Sequence, residues 1–177
     1  MKKLALSLVA AAMGLASVAA HAGNVLTING QLVANTCDIS GSGQGPNFTV
    51  TLPTLSASQL SQANSTAGAT GFNIALTNCT PSTGNVHTFW EYGANTLADG
   101  NLKNNGTAAS VEVQLLDYNG AAKMLDVSKA DGAQGSQSVA LTGGQANLKY
   151  AAQYISPAGS AGAGSVTTSV TYSIVYQ

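Results

Sequence analysis

Cys37 and Cys79 are the side chains of this 177-residue chain best suited to covalent chemistry, since two thiols can bridge, bind a metal or act as nucleophiles. Metal ligation and thiol catalysis both need partners, and the chain beyond residue 22 offers one histidine and no second cysteine pair. That histidine, His87, sits beside Phe89, Trp90 and Tyr92 with no Cys, His or acid at ligand spacing, and reads as a surface or edge-strand residue. Asp38, Glu91, Asp99, Glu112, Asp117, Asp126 and Asp131 are scattered singly and read as solvated surface charge, with no acid/base couple among them. Gly41-Ser42-Gly43-Gln44-Gly45 is glycine-rich like a phosphate loop, but no lysine and no helix-opening pattern follow it, so it reads as a flexible turn. The Phe89, Trp90 and Tyr92 group favours a core aromatic cluster; stacking on a sugar is the alternative and defines a second function class, an autonomous secreted carbohydrate-binding β-sandwich. No catalytic, metal or cofactor site emerges, and the chain is not expected to be an enzyme.

The elements that must position these residues lie in an exported chain. Lys2 and Lys3 precede an apolar run from Leu4 to Ala20 and then the small-x-small triplet Ala20-His21-Ala22, which reads as a signal peptide over residues 1–22. No later run is apolar enough to span a membrane, so no membrane span is expected in the mature chain. Residues 23–177 carry four lysines, no arginine and seven acids, a balance that excludes nucleic acid as a partner because phosphate binding needs clustered basic residues. Export also places the two cysteines where thiols oxidise, and a Cys37–Cys79 disulfide is the expected outcome. Closing that separation of 42 residues disfavours the unfolded chain by about 3 to 5 kcal/mol in the chain-entropy picture.

Strand signals dominate the rest. Short stretches alternate apolar and small polar residues between Gly, Asn, Pro and Ser clusters. Segments 24–33, 34–39, 48–52, 71–79, 86–92, 111–118, 138–142, 146–155 and 166–177 read as strands, with a hairpin at Asn119-Gly120 returning through Met124 and Leu125. Residues 56–63 read as one helical turn capped by Ser56. About seven to nine strands with frequent turns describe an all-β sandwich.

In the last strand Val170, Tyr172, Ile174 and Tyr176 share one face, and nothing follows Gln177 to pair with the strand's outer edge. Near the other end, Leu26, Ile28, Gly30 and Leu32 alternate with Thr27, Asn29 and Gln31. Alternation alone leaves two readings for residues 24–33: a first strand folded into its own domain, or a strand added to a neighbouring molecule. A strand lent head-to-tail would build an open fibre.

Gly30-Gln31-Leu32-Val33 leading to Cys37, Gly71-Phe72-Asn73-Ile74-Ala75-Leu76-Thr77-Asn78-Cys79, Val111-Glu112-Val113-Gln114-Leu115-Leu116-Asp117, Gln153-Tyr154 and the ending Tyr172-Ser173-Ile174-Val175-Tyr176-Gln177 resemble, in order and spacing, the pilin subunits of chaperone-usher fimbriae, particularly the major subunits of type 1-like pili. The extension before Cys37 is short beside some type 1 major subunits and nearer the length in P-pilus subunits. The resemblance implies an incomplete immunoglobulin-like β-sandwich lacking its last strand, bridged by Cys37 and Cys79 and completed by donor-strand exchange. It divides the chain into signal peptide 1–22, donor extension 23–33 and pilin domain 34–177, with donor residues Leu26, Ile28, Gly30 and Leu32 and acceptor residues Val170, Tyr172, Ile174 and Tyr176. The partners it implies are identical or related pilin subunits, a periplasmic chaperone and an outer-membrane usher, and the destination is a fimbrium at the cell surface.

Overall fold

The alternating run through Phe72, Ile74 and Leu76 forms the spine of the molecule. In a computed structural model, which describes Leu26 and residues 36–177, nine strands are found among the described residues: β1 (Thr36–Gly41), β2 (Ser65–Thr80), β3 (Gly84–Trp90), β4 (Leu102–Lys103), β5 (Glu112–Asp117), β6 (Lys123–Met124), β7 (Val139–Leu141), β8 (Ala146–Ser156) and β9 (Tyr172–Tyr176). They make an all-β, immunoglobulin-like sandwich. One sheet runs β1-β2-β8-β5-β4 with β6 also on β5, and the other runs β7-β3-β9, all pairs antiparallel.

Period-two patterning puts one face of each strand inward. Phe72, Ile74 and Leu76 of β2 meet Leu148 and Tyr150 of β8, Val113 and Leu115 of β5, and Val86 and Trp90 of β3 in one core. Two kinks shape β2. Its ladder with β8 slips between Ala67 and Thr70, where Gly68 takes a left-handed conformation that favours glycine. Its ladder with β1 slips between Thr36 and Asp38, opposite Asn78, a left-handed residue whose side chain donates to Asp38 at 2.8 Å. Beside that bulge the Cys37 and Cys79 Cα atoms lie 4.1 Å apart and their sulfurs are bonded. The Ser56-capped turn is a 3-10 turn, Ala57–Leu60, with Ser56 Oγ accepting from Ser58 N.

Four expectations need correction. His87 is not a surface or edge residue: it is 3% exposed in β3, the middle strand of its sheet, and its Nε2 lies 2.7 Å from Asp131 Oδ1. Asp117 is not solvated charge but fully buried, accepting from Asn119 N and Nδ2 and from Gln137 N and Nε2 at 2.7 to 3.1 Å. Phe48–Leu52 is not a ladder strand among the described residues, although Phe48, Val50 and Leu52 are half-buried and Thr49 and Thr51 exposed. The last strand is likewise shorter than its alternation, which extends back to Val166 while the ladder begins at Tyr172.

Candidate functional site

The two alternating segments without ladders, Phe48–Leu52 and Val166–Thr171, form opposite walls of one groove of about 780 Å³. Its floor is the sandwich core itself: Phe72, Trp90, Leu102, Val113, Leu115 and Ala152. Backbone bonding explains why the second wall is held yet unfinished. In an extended chain, successive residues point their N–H and C=O groups to opposite sides. The odd-numbered residues use theirs on the outer side: Ser165 O accepts from Ala108 N at 3.0 Å, Thr167 O from Asn105 N at 2.8 Å, and Thr171 O from Glu91 N at 2.8 Å. Thr167 N donates to Asn104 Oδ1, and Ser169 O accepts from Asn95 Nδ2. For the backbone groups of Val166, Thr168 and Val170, on the groove side, no partner is found among the described residues.

The even-numbered side chains of this wall turn inward. Val166, Val170, Tyr172, Ile174 and Tyr176 are half-buried against the core. Of the four acceptor candidates, Val170 and Tyr172 line the groove, whereas Ile174 and Tyr176 continue the row within β9, which pairs with β3 on its other edge. Tyr172 marks the end of the open part. Its ring packs on Phe48 at 5.8 Å and on Trp90 at 5.9 Å, and its hydroxyl donates to Pro46 O at 2.7 Å, spanning wall to wall. Tyr176 reaches the bridge, with its hydroxyl 3.0 Å from Cys37 Sγ. Burial raises both tyrosine pKa values above the ordinary phenol range, so both stay neutral donors at physiological pH.

Sequence reasoning missed Phe48, Val50, Leu52, Val166 and Thr168 as groove residues. The alternation of 48–52 stopped by Pro53 carries the signal, but an ordinary ladder strand has the same pattern. Of the donor candidates only Leu26 is described, and it is exposed; Ile28, Gly30 and Leu32 lie outside the described residues, as does the signal-peptide segment. Trp90 is 2% exposed on the groove floor and stacks edge-on with Tyr150 and Phe72, so it presents no face to a sugar at the surface. Tyr92 is exposed, separated from that cluster.

Asn101 bridges Asp99 and Glu112 with bonds of 2.9 Å, and partial burial, opposed by the Asn101 bond, leaves the Glu112 carboxyl above its usual range. Among the described residues no group of three His, Cys, Asp or Glu side chains is placed to hold a metal ion, and no helix is long and apolar enough to cross a membrane.

Known proteins match this architecture. The family described as FimA, type-1 fimbrial protein, A, matches residues 52–177. An F17 fimbrial protein of Escherichia coli is 40% identical over 159 residues, covering 86% of each chain. A major fimbrial subunit, SMF-1, of Stenotrophomonas maltophilia is 40% identical over 168 residues, covering 91% of this chain and 97% of that one. Among solved structures, a Burkholderia pseudomallei antigen and type I fimbria protein superposes with a TM-score of 0.51 at 20% identity, covering 81% of this chain and 97% of that one, a likeness of fold. With a groove where its sandwich stays open and a family match reaching from that groove's first wall to Gln177, this chain belongs to the type-1 fimbrial proteins and is a fimbrial subunit.

Proposed function

We propose that this subunit polymerises by donor-strand complementation into an adhesive surface fibre, the groove between Phe48–Leu52 and Val166–Thr171 receiving residues 23–33 of a neighbouring copy or a related subunit. The observation that carries the reading is the one-sided backbone of the second wall: Val166, Thr168 and Val170 present N–H and C=O groups to an apolar cleft with no partner among the described residues. Backbone groups removed from water need partners, and an added strand supplies them in register while its alternate side chains cover the floor. Leu26, Ile28 and Leu32 would be those side chains, with Gly30 at a point of close approach. Three such residues, each stabilising by about 1.5 to 3 kcal/mol when fully buried, make the contact strong.

Val170 and Tyr172 are the acceptor residues of the open groove in this reading, and Ile174 and Tyr176 extend the same row toward the Cys37–Cys79 bridge. Before assembly a periplasmic chaperone would cover the groove and an outer-membrane usher would receive the complex. The chain would thus pass from signal-peptide-directed export through the periplasm to the fimbrium at the cell surface.

Deleting residues 23–33 tests the reading. The shortened subunit is expected to accumulate with its disulfide formed, to accept a strand, and to stop each fibre it joins, so that electron microscopy of sheared material shows short or absent fibres. Fibres of normal length built through the shortened subunit would refute donation by this segment.

A further inference from the structure

The inward row of the groove wall, Val166, Thr168, Val170 and Tyr172, has an internal polar member. Thr168 Oγ1 is shut off from solvent without a hydrogen-bond partner among the described residues. A second such atom belongs to the floor: Trp90 Nε1, in a residue 2% exposed, is equally without a partner. Around them the floor is Phe72, Leu102, Val113 and Leu115, which offer no side-chain acceptor. Two further atoms of this kind, His87 Nδ1 and Ser136 Oγ, lie off the groove. Buried polar groups left unpaired are destabilising, and the two at the groove are the ones placed to gain a partner from whatever fills it.

We infer that the segment seated in this groove hydrogen-bonds Trp90 Nε1 and Thr168 Oγ1, which makes these two residues determinants of which strands the groove accepts. The inference rests on the groove reading above and adds the chemistry of its occupant. An indole N–H only donates, so the occupant must bring an acceptor; a hydroxyl accommodates either role. The inward series of residues 23–33, Leu26, Ile28, Gly30 and Leu32, holds no polar side chain, so the acceptor is a main-chain carbonyl turned out of the strand plane toward the floor by a bulge at Gly30. Gly30, lacking a side chain, is the position where the donor main chain can approach the floor closely. A strand with a bulky apolar residue at that level would hold its carbonyl off and leave the indole unpaired, which is a basis for rejection.

The chain's single tryptophan makes this directly readable, because the exported protein gives one indole N–H signal by NMR. Titrating it with a synthetic peptide of residues 24–33 is expected to move that signal downfield and slow its exchange with solvent. Thr168→Val, nearly the same in shape, is expected to bind the peptide about fivefold more weakly, the loss of roughly one neutral hydrogen bond. Thr168→Ser, which keeps the hydroxyl, should bind as the natural chain does. Should the peptide bind with the indole signal unmoved and Thr168→Val hold it as tightly or more so, the polar contacts are overturned while the groove reading stands. A peptide that does not bind the natural protein at all overturns the groove reading and this inference with it.

Discussion

Glu112–Asp117 and residues 166–171 are short extended segments of similar length whose alternate side chains face the same core, yet they end differently. Glu112–Asp117 exchanges hydrogen bonds on both flanks, with β8 on one side and β4 and β6 on the other. Its inward residues Val113 and Leu115 are at most 5% exposed. Among the described residues, 166–171 are bonded along the outer flank alone, and their inward Val166 and Val170 stay half-exposed over the groove. Alternation therefore specifies which face of a strand is buried, not whether both of its backbone edges are used. In the proposed function, the segment with the spare edge is where a second molecule adds its strand.

The largest effect expected lies in the closed part of the sandwich. Cys37→Ser or Cys79→Ser should lower unfolding stability by about 3 to 5 kcal/mol, read by denaturant titration against the natural chain. An unchanged midpoint would mean that the finished ladders hold the fold without the bridge. Next comes a paired test of the two segments. Leu115→Ala, cutting into the closed core, should cost about 2 to 5 kcal/mol of stability. Val170→Ala, at a half-exposed groove position, should cost the isolated subunit less than about 1 kcal/mol while weakening capture of the 24–33 peptide. Equal stability losses at the two positions would erase the contrast between finished and unfinished edges.

Most strands were legible because their apolar residues recur at period two, and the Asn119-Gly120 signal placed the turn that pairs Leu116 with Met124. The two-residue strand Leu102–Lys103 was not, since so short a run has no period to read. The buried polar residues escaped for a different reason. Whether His87 or Asp117 can leave water depends on partners 44 and 20 residues away, Asp131 and Gln137, brought close only by the finished fold. The groove fell between these cases. The inward residues of both its walls were visible as alternation, but the missing ladder between Phe48–Leu52 and Val166–Thr171 is a relation between segments, and no local pattern records it.

The smallest effect expected tests whether acid acts on the His87–Asp131 pair of β3 and leaves the groove alone. The hydrogen bond from His87 is the main cause holding the Asp131 carboxyl below its ordinary value near 3.8. A lowered folded-state pKa contributes stability that is fully present above the ordinary value and is lost as pH falls through the lowered one. Asp131 is 46% exposed, so solvent screens the pair and the contribution should stay below about 1 kcal/mol. Glu112, raised chiefly by burial, works with the opposite sign, its contribution being present at low pH and lost as pH rises through its raised value. Comparing the natural chain with Asp131→Asn at each pH cancels the Glu112 contribution and isolates Asp131. Urea unfolding from neutral pH downward should show the natural chain's advantage over Asp131→Asn shrinking below the ordinary carboxylate range. Neither His87 nor Asp131 lines the groove, so the variant should match the natural chain in peptide affinity at every pH. An affinity difference that grows with acid would show the His87–Asp131 pair acting on the groove through the β3–β9 ladder.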